Sequence, residues 1–166
     1  EFRRVLFRSQ HYASMVAYMD YLERRAVRYV QPFGGFGDWL AIEPTNSMLT
    51  NTAYSAYDAL IMEQVAKRLG KDADQRRFRT FYENVKRSFN DLFVNEEGRT
   101  FAPTVESIFG KDSQVGMWPG TAATEAKIVD TQTSYVVPLQ FDLFNEKNKP
   151  LAIRHLVENI KKHNYT

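Results

Sequence analysis

Apolar residues recur at helical spacing in five stretches of this chain, separated by glycine, proline and short polar runs. Between about His11 and Arg25, Met15, Tyr18, Met19 and Leu22, then Ala26, fall three or four apart and predict a first helix; Pro32 and the glycines that follow stop it. A second helix is expected from about Met48 to Leu69, with Ser47 or Thr45 to cap its start and Gly70 its end. Leu49, Ala53, Ala56, Tyr57, Leu60, Ile61, Val65 and Leu69 give it a broad apolar face. A third follows Asp72, with one stripe through Phe78, Phe81, Tyr82, Val85, Phe89 and Leu92 and a charged face through Arg76, Arg77, Glu83 and Lys86. A fourth, from near Thr131 to Phe144, is apolar almost all round and is expected to be buried, with Pro138 in its first two turns, where a missing donor costs least. The fifth starts near Pro150, with Leu151, Leu156, Val157 and Ile160 expected on one face and Arg154, Glu158 and Lys161 on the other.

The order is amphipathic, broad-faced, amphipathic, apolar, amphipathic. Outer and inner helices alternate in this way in a toroid of helical hairpins. The fold expected is therefore all-α: a partial (α/α) toroid of about two hairpins plus a flanking helix, with long loops. A helical solenoid gives the same alternation, but no self-similar period is present and the connections differ widely in length. Asn95-Glu96-Glu97-Gly98 reads as a turn and Arg99 to Ala102 as a short extended piece. From Pro103 to Asp130 no clean period appears, and a loop of that length in a compact domain is often functional.

Two polar motifs open the inner-type helices. The first is Gly34-Gly35-Phe36-Gly37-Asp38-Trp39-Leu40. Its glycines let the backbone bend tightly and come close to a ligand. An exposed Trp39 offers a flat apolar face and Asp38 a hydrogen-bond acceptor, a pair suited to a sugar with an apolar ring face and a rim of hydroxyls. Against that reading stand a core Trp packed under the loop and an aspartate that caps the loop backbone. The second motif is Thr131-Gln132-Thr133-Ser134-Tyr135, where Thr131 or Thr133 is placed to cap a helix. At such entrances backbone donors and positive dipole ends gather.

Charge enters through the first nine residues. Glu1-Phe2-Arg3-Arg4-Val5-Leu6-Phe7-Arg8-Ser9 resembles a translated sequencing adapter, so residues 1–9 are expected to be a non-native leader and 10–166 an incomplete domain of a truncated gene. The whole chain carries 22 Lys+Arg and 20 Asp+Glu; the leader holds three Arg and one Glu, and the remainder balances at 19 of each. A basic surface for nucleic acid or acidic lipid then loses its support. No apolar run is long enough to span a bilayer. With no cysteine there is no thiolate metal site, and His11, His155 and His163 lack ligand spacing, which fits surface or core roles. Gly34 to Gly37 lacks the Lys-Ser/Thr of a phosphate loop, so no cofactor is expected.

The run from about Tyr18 to Asn164 resembles the six-hairpin catalytic domain of bacterial α-L-rhamnosidases, glycoside hydrolase family 78. The matching residues are Gly37-Asp38-Trp39-Leu40, Asn51-Thr52-Ala53-Tyr54-Ser55-Ala56-Tyr57, Ala66-Lys67-Arg68-Leu69-Gly70, Phe89-Asn90-Asp91-Leu92-Phe93, Thr131-Gln132-Thr133-Ser134-Tyr135 and His155-Leu156-Val157-Glu158-Asn159-Ile160, in that order. The resemblance implies hydrolysis of terminal α-L-rhamnosides with inversion, and a rhamnose-containing glycoside or oligosaccharide as partner. The family's Asp-Glu-Arg-rich acid motif and Trp-Glu-Arg-Trp base motif do not occur here, and Glu106, Glu125 and Asp130 do not stand in their contexts. No proton-transfer residue carries over, and the chain itself is expected to be inactive. What carries over is part of a sugar pocket: Trp39, Asp38, Trp118 as a second aromatic wall, and Gln132 and Thr133 at its floor. The alternatives are a toroid glycosidase for another sugar, or a non-catalytic helical interaction module.

Overall fold

The computed structural model describes residues 2–32, 38, 41–110 and 127–164, with side chains from residue 10 onward. Among these the elements are α1 (Phe2–Arg25), α2 (Ser47–Arg68), α3 (Asp72–Phe93), β1 (Phe101–Ala102), α4 (Val105–Phe109), β2 (Lys127–Ile128), α5 (Gln132–Gln140) and α6 (Asn148–Lys162).

The tightest packing joins α2 and α3 into a helical hairpin. Gly70 makes the turn possible: it takes φ +65°, and the following amide, Lys71 N–H, returns to Ala66 O at 2.9 Å. Ala53, Ala56, Ala59 and Ala66 on α2 and Phe78, Phe81, Val85, Phe89 and Phe93 on α3 are buried in one core. Small residues on one helix leave room for large rings on the other. At the entrance of α2 the expected caps are displaced by one residue. Asn46 is the cap, its Oδ1 accepting from Met48 N–H at 3.0 Å and Leu49 N–H at 3.3 Å. On α3 the buried end of the stripe is Phe93 rather than Leu92, which is half-buried.

Four features differ from expectation. α1 begins at Phe2, nine residues before the expected start near His11. The stretch from Pro103 to Asp130 holds a short helix, α4, capped by Thr104, and a strand, β2, paired antiparallel with β1. α5 stops at Gln140 rather than at Phe144. Asp142 takes φ +53°, and Leu143 N–H reaches back to Pro138 O at 2.9 Å, so the chain turns while Phe141, Leu143 and Phe144 stay buried. The Tyr82 hydroxyl, held between Phe141 O (3.0 Å) and Asp142 O (2.9 Å), pins this turn, and burial pushes its pKa up to about 12. α5 is also less buried than its composition suggested: Tyr135 and Pro138 are inside, but Val136 is exposed.

The fourth difference positions the site. The fully buried stripe of α6 is Asn148, Ala152, His155 and Asn159; of the expected apolar face, Leu151, Leu156 and Ile160 are half-buried and Val157 is exposed. Each polar member has partners that make its burial tolerable. Asn148 donates to Asn90 Oδ1 at 3.0 Å, and Asn90 in turn donates to Leu143 O at 2.8 Å. His155 Nε2 faces Glu97 O at 2.9 Å, so the Asn95–Gly98 turn is docked on α6. His155 is thus a core residue, while His11 is exposed.

Candidate functional site

The start of α5 is built from its own sequence. Thr131 is the cap: its Oγ1 accepts from Ser134 N–H at 3.2 Å, while Thr131 N–H donates to Ser134 Oγ at 3.1 Å. These bonds satisfy amides that a helix leaves open at its first turn. Gln132 and Thr133, the next two residues, are half-buried.

The connection between α1 and α2 arrives at the same place. Asp38 Oδ1 accepts from Thr45 N–H at 2.9 Å, and the Thr45 hydroxyl lies 2.6 Å from the Thr131 hydroxyl. The two polar motifs are therefore two hydrogen bonds apart, across 86 residues of sequence. One carboxylate oxygen of Asp38 caps the loop; the other, Oδ2, is buried with no hydrogen-bond partner. Trp39 and Trp118, the two expected aromatic walls, lie outside the described residues, as does Glu125.

Beside this junction is a cavity of about 280 Å³ lined by Ala41, Ile42, Glu43, Gln132, Thr133, Asn159 and His163. It brings together Gln132 and Thr133; Asp38 is not in the lining but is tied to it through Thr45. Ala41 and Ile42 supply an apolar side and the rest a polar one. At its rim, Lys162 donates to Glu43 Oε1 at 3.3 Å and His163 Nε2 lies 3.4 Å from Glu43 Oε2. The Lys162 hydrogen bond foremost, helped by His163, holds the Glu43 carboxyl below the usual carboxylate range. Among the described residues Glu43 is the one carboxylate in the lining.

The wall behind the lining is a hydrogen-bonded cluster. Asp130, at φ +50°, precedes the cap. Its carboxylate takes the Tyr135 hydroxyl on Oδ1 and Arg99 Nη1 on Oδ2 at 2.7 Å. Its carbonyl accepts from Asn159 Nδ2 at 2.6 Å, and its N–H donates to Thr100 Oγ1 at 3.2 Å. Tyr135 is fully buried; burial first, and the Asp130 carboxylate second, push its hydroxyl well above the usual tyrosine range.

Glu43, Asn159 and His163 were not singled out from the sequence. Asn159 carries two signals: it lies in the His155–Ile160 run that matches the family, and it continues the stripe of Asn148, Ala152 and His155, spaced three or four apart. Among the described residues no group of His, Cys, Asp or Glu is placed to hold a metal, and no helix is long and apolar enough to cross a membrane.

The sequence model of the bacterial alpha-L-rhamnosidase 6 hairpin glycosidase domain matches residues 5–166. The chain is 26% identical over 159 residues to an alpha-L-rhamnosidase of Formosa agariphila, covering 91% of this chain and 14% of that protein. Its backbone is similar to the alpha-L-rhamnosidase of Dictyoglumus thermophilum, with a TM-score of 0.70 and 25% identity over 95% of this chain and 16% of that one. It also shares the fold of the Streptomyces avermitilis alpha-L-rhamnosidase complexed with L-rhamnose, with a TM-score of 0.73 and 23% identity over 96% of this chain and 13% of that one. The chain thus spans a small part, 14%, of the length of the curated relative named first.

Proposed function

This chain belongs to the six-hairpin glycosidase domain family of bacterial α-L-rhamnosidases, and we propose that it contributes part of the sugar pocket to the hydrolysis of terminal α-L-rhamnosides with inversion. The observation that carries this reading is the junction of the Asp38 loop and the Thr131 helix entrance, through Thr45, beside a cavity with one apolar side. Rhamnose has a methyl group and an apolar ring face to set against Ala41 and Ile42, and hydroxyls to set against Gln132 and Thr133. Trp39 adds a stacking face in this proposal, and Trp118 a second wall.

The proton transfers are not assigned to the described residues. Inversion needs two carboxyl groups on opposite sides of the sugar, roughly 6.5–9.5 Å apart, with the acid protonated at working pH. Among the described residues Glu43 stands without a second carboxylate across the cavity, and its lowered pKa suits an acceptor rather than an acid. Asp130 is occupied by Arg99 and Tyr135.

The test is a titration of the 166-residue chain with L-rhamnose, followed by amide chemical shifts, with D-glucose as the control. Saturable shifts around Ile42, Gln132 and Thr133 for L-rhamnose, with much weaker ones for D-glucose, are expected. Equal responses to the two sugars, or none to L-rhamnose, would refute the proposal.

A further inference from the structure

We infer that Asp130 is a positioning residue of the sugar pocket: it sets the three polar groups Gln132, Thr133 and Asn159 relative to one another without touching the ligand. The inference rests on the proposed pocket for its functional meaning, but its geometry stands independently.

Two of the pocket's groups follow Asp130 by two and three residues, and the third is on another helix. Asp130 is the point at which they are joined. Its backbone takes a left-handed bend that L-residues adopt reluctantly, aspartate and asparagine being among the more tolerant. That bend turns the chain from β2 into the Thr131 cap. Its carbonyl then receives Asn159 Nδ2 at 2.6 Å. A carbonyl must face a donor, so this bond fixes which way the Asn159 amide points. Asn159 Oδ1 is buried and without a partner, and the residue lines the cavity.

The side chain of Asp130 makes the bend rigid from the other side. Arg99 lies just before β1 and Tyr135 one turn into α5, and both donate to the same carboxylate. The N–H is held by Thr100, whose hydroxyl also lies 2.6 Å from Ser134 Oγ, within the α5 capping box. Backbone and side chain thus connect three elements, and a change at Asp130 is transmitted to every polar group in the lining except Glu43 and His163. Asn159 has no other described bond that would hold its amide.

The experiment compares Asp130→Ala and Asp130→Asn in the full 166-residue chain. Asparagine tolerates the left-handed bend, and its amide can accept from Arg99 while donating to the Tyr135 hydroxyl; alanine does neither. Without sugar, Asp130→Ala is expected to speed amide exchange at Thr131 and Ser134 by about tenfold or more and to shift the Asn159 side-chain amide resonances, while Asp130→Asn stays within about threefold. With L-rhamnose, Asp130→Ala is expected to weaken binding by about tenfold and Asp130→Asn to restore most of it. If Asp130→Ala loses its cooperative melt, Asp130→Gly replaces it, since glycine keeps the bend and removes only the carboxylate. Unchanged exchange and unchanged Asn159 resonances in Asp130→Ala would overturn the inference, as would equal effects of alanine and asparagine. Failure of the unmodified chain to bind L-rhamnose would refute the proposed pocket while leaving the exchange measurements to decide the role of Asp130.

Discussion

Replacing Gly98 by alanine tests how firmly α6 is seated, and two separable costs follow from the structure. Gly98 sits at φ +75°, so an L-residue there meets the left-handed penalty of about 1–2 kcal/mol. In addition, a Cβ at this position falls 2.5 Å from Leu151 Cβ, 2.8 Å from its Cδ1 and 3.2 Å from its Cγ. Leu151 Cβ cannot leave by changing rotamer, so the turn or α6 must move. Overpacking of this kind costs about 1–3 kcal/mol. Gly70 supplies the control: it has φ +65°, but no described atom lies within 4 Å of its added Cβ. Gly70→Ala therefore carries the backbone penalty alone, about 1–2 kcal/mol, and Gly98→Ala about 2–5 kcal/mol. For a chain of this size 1 kcal/mol moves the melting temperature by about 2–4 °C, so Gly98→Ala is expected to melt about 2–12 °C below Gly70→Ala. The assay is thermal unfolding by circular dichroism of both variants beside the unmodified chain. Equal melting temperatures, or the reverse order, would refute the claim that the Gly98 turn is in hard contact with α6.

Two further changes probe the polar framework. Tyr135→Phe leaves Asp130 Oδ1 without its buried hydroxyl donor and Thr100 N–H without its acceptor, and is expected to cost about 1–3 kcal/mol in a thermal or denaturant melt; a neutral result would mean that water replaces both bonds. Asp142 accepts from Lys149 and from Lys86, each at 2.8 Å, and these bonds, the Lys149 one first, hold its carboxyl below the usual range. Because the folded pKa is the lower one, the pair stabilises above the unfolded value near ~3.9 and fades as pH falls through the folded value. Asp142→Asn is thus expected to be less stable at neutral pH by under about 1 kcal/mol, as for an exposed pair, with the gap closing in acid; a gap that widens on acidification would contradict this sign.

The α2–α3 hairpin was legible because its burial is apolar and its turn is a glycine, the two signals that period and punctuation carry best. α6 was misread because its buried stripe contains Asn148, His155 and Asn159, and their burial depends on partners from Asn90, Glu97 and Asp130 that no local pattern reveals. α5 was drawn too long because Phe141, Leu143 and Phe144 remain buried after the helix ends, so hydrophobicity continued where helical geometry did not. The meeting of the Asp38 loop with the Thr131 entrance fits the alternation of helix types, since both motifs open inner-type helices. The hydroxyl pair that makes it, Thr45 with Thr131, was not, since two threonines 86 residues apart carry no mutual signal.

That same pair bears on the order in which the molecule assembles. α2 and α3 meet across a three-residue turn, and contacts so local form early. The Thr45–Thr131 bond instead closes a span of 86 residues, and the Lys162–Glu43 bond one of 119. Loop closure over such spans costs on the order of 4 kcal/mol in chain entropy before any contact offsets it. The cavity is thus expected to form only when the segment before α2 docks on α5 and α6, after the hairpin is in place. On mild destabilisation it should be the first region to open, with Thr45 and Thr131 amides exchanging before those of Phe81 and Val85; the opposite order would place the nucleus elsewhere. If that order holds, the proposed ability to hold a ligand and the last step of folding are one event.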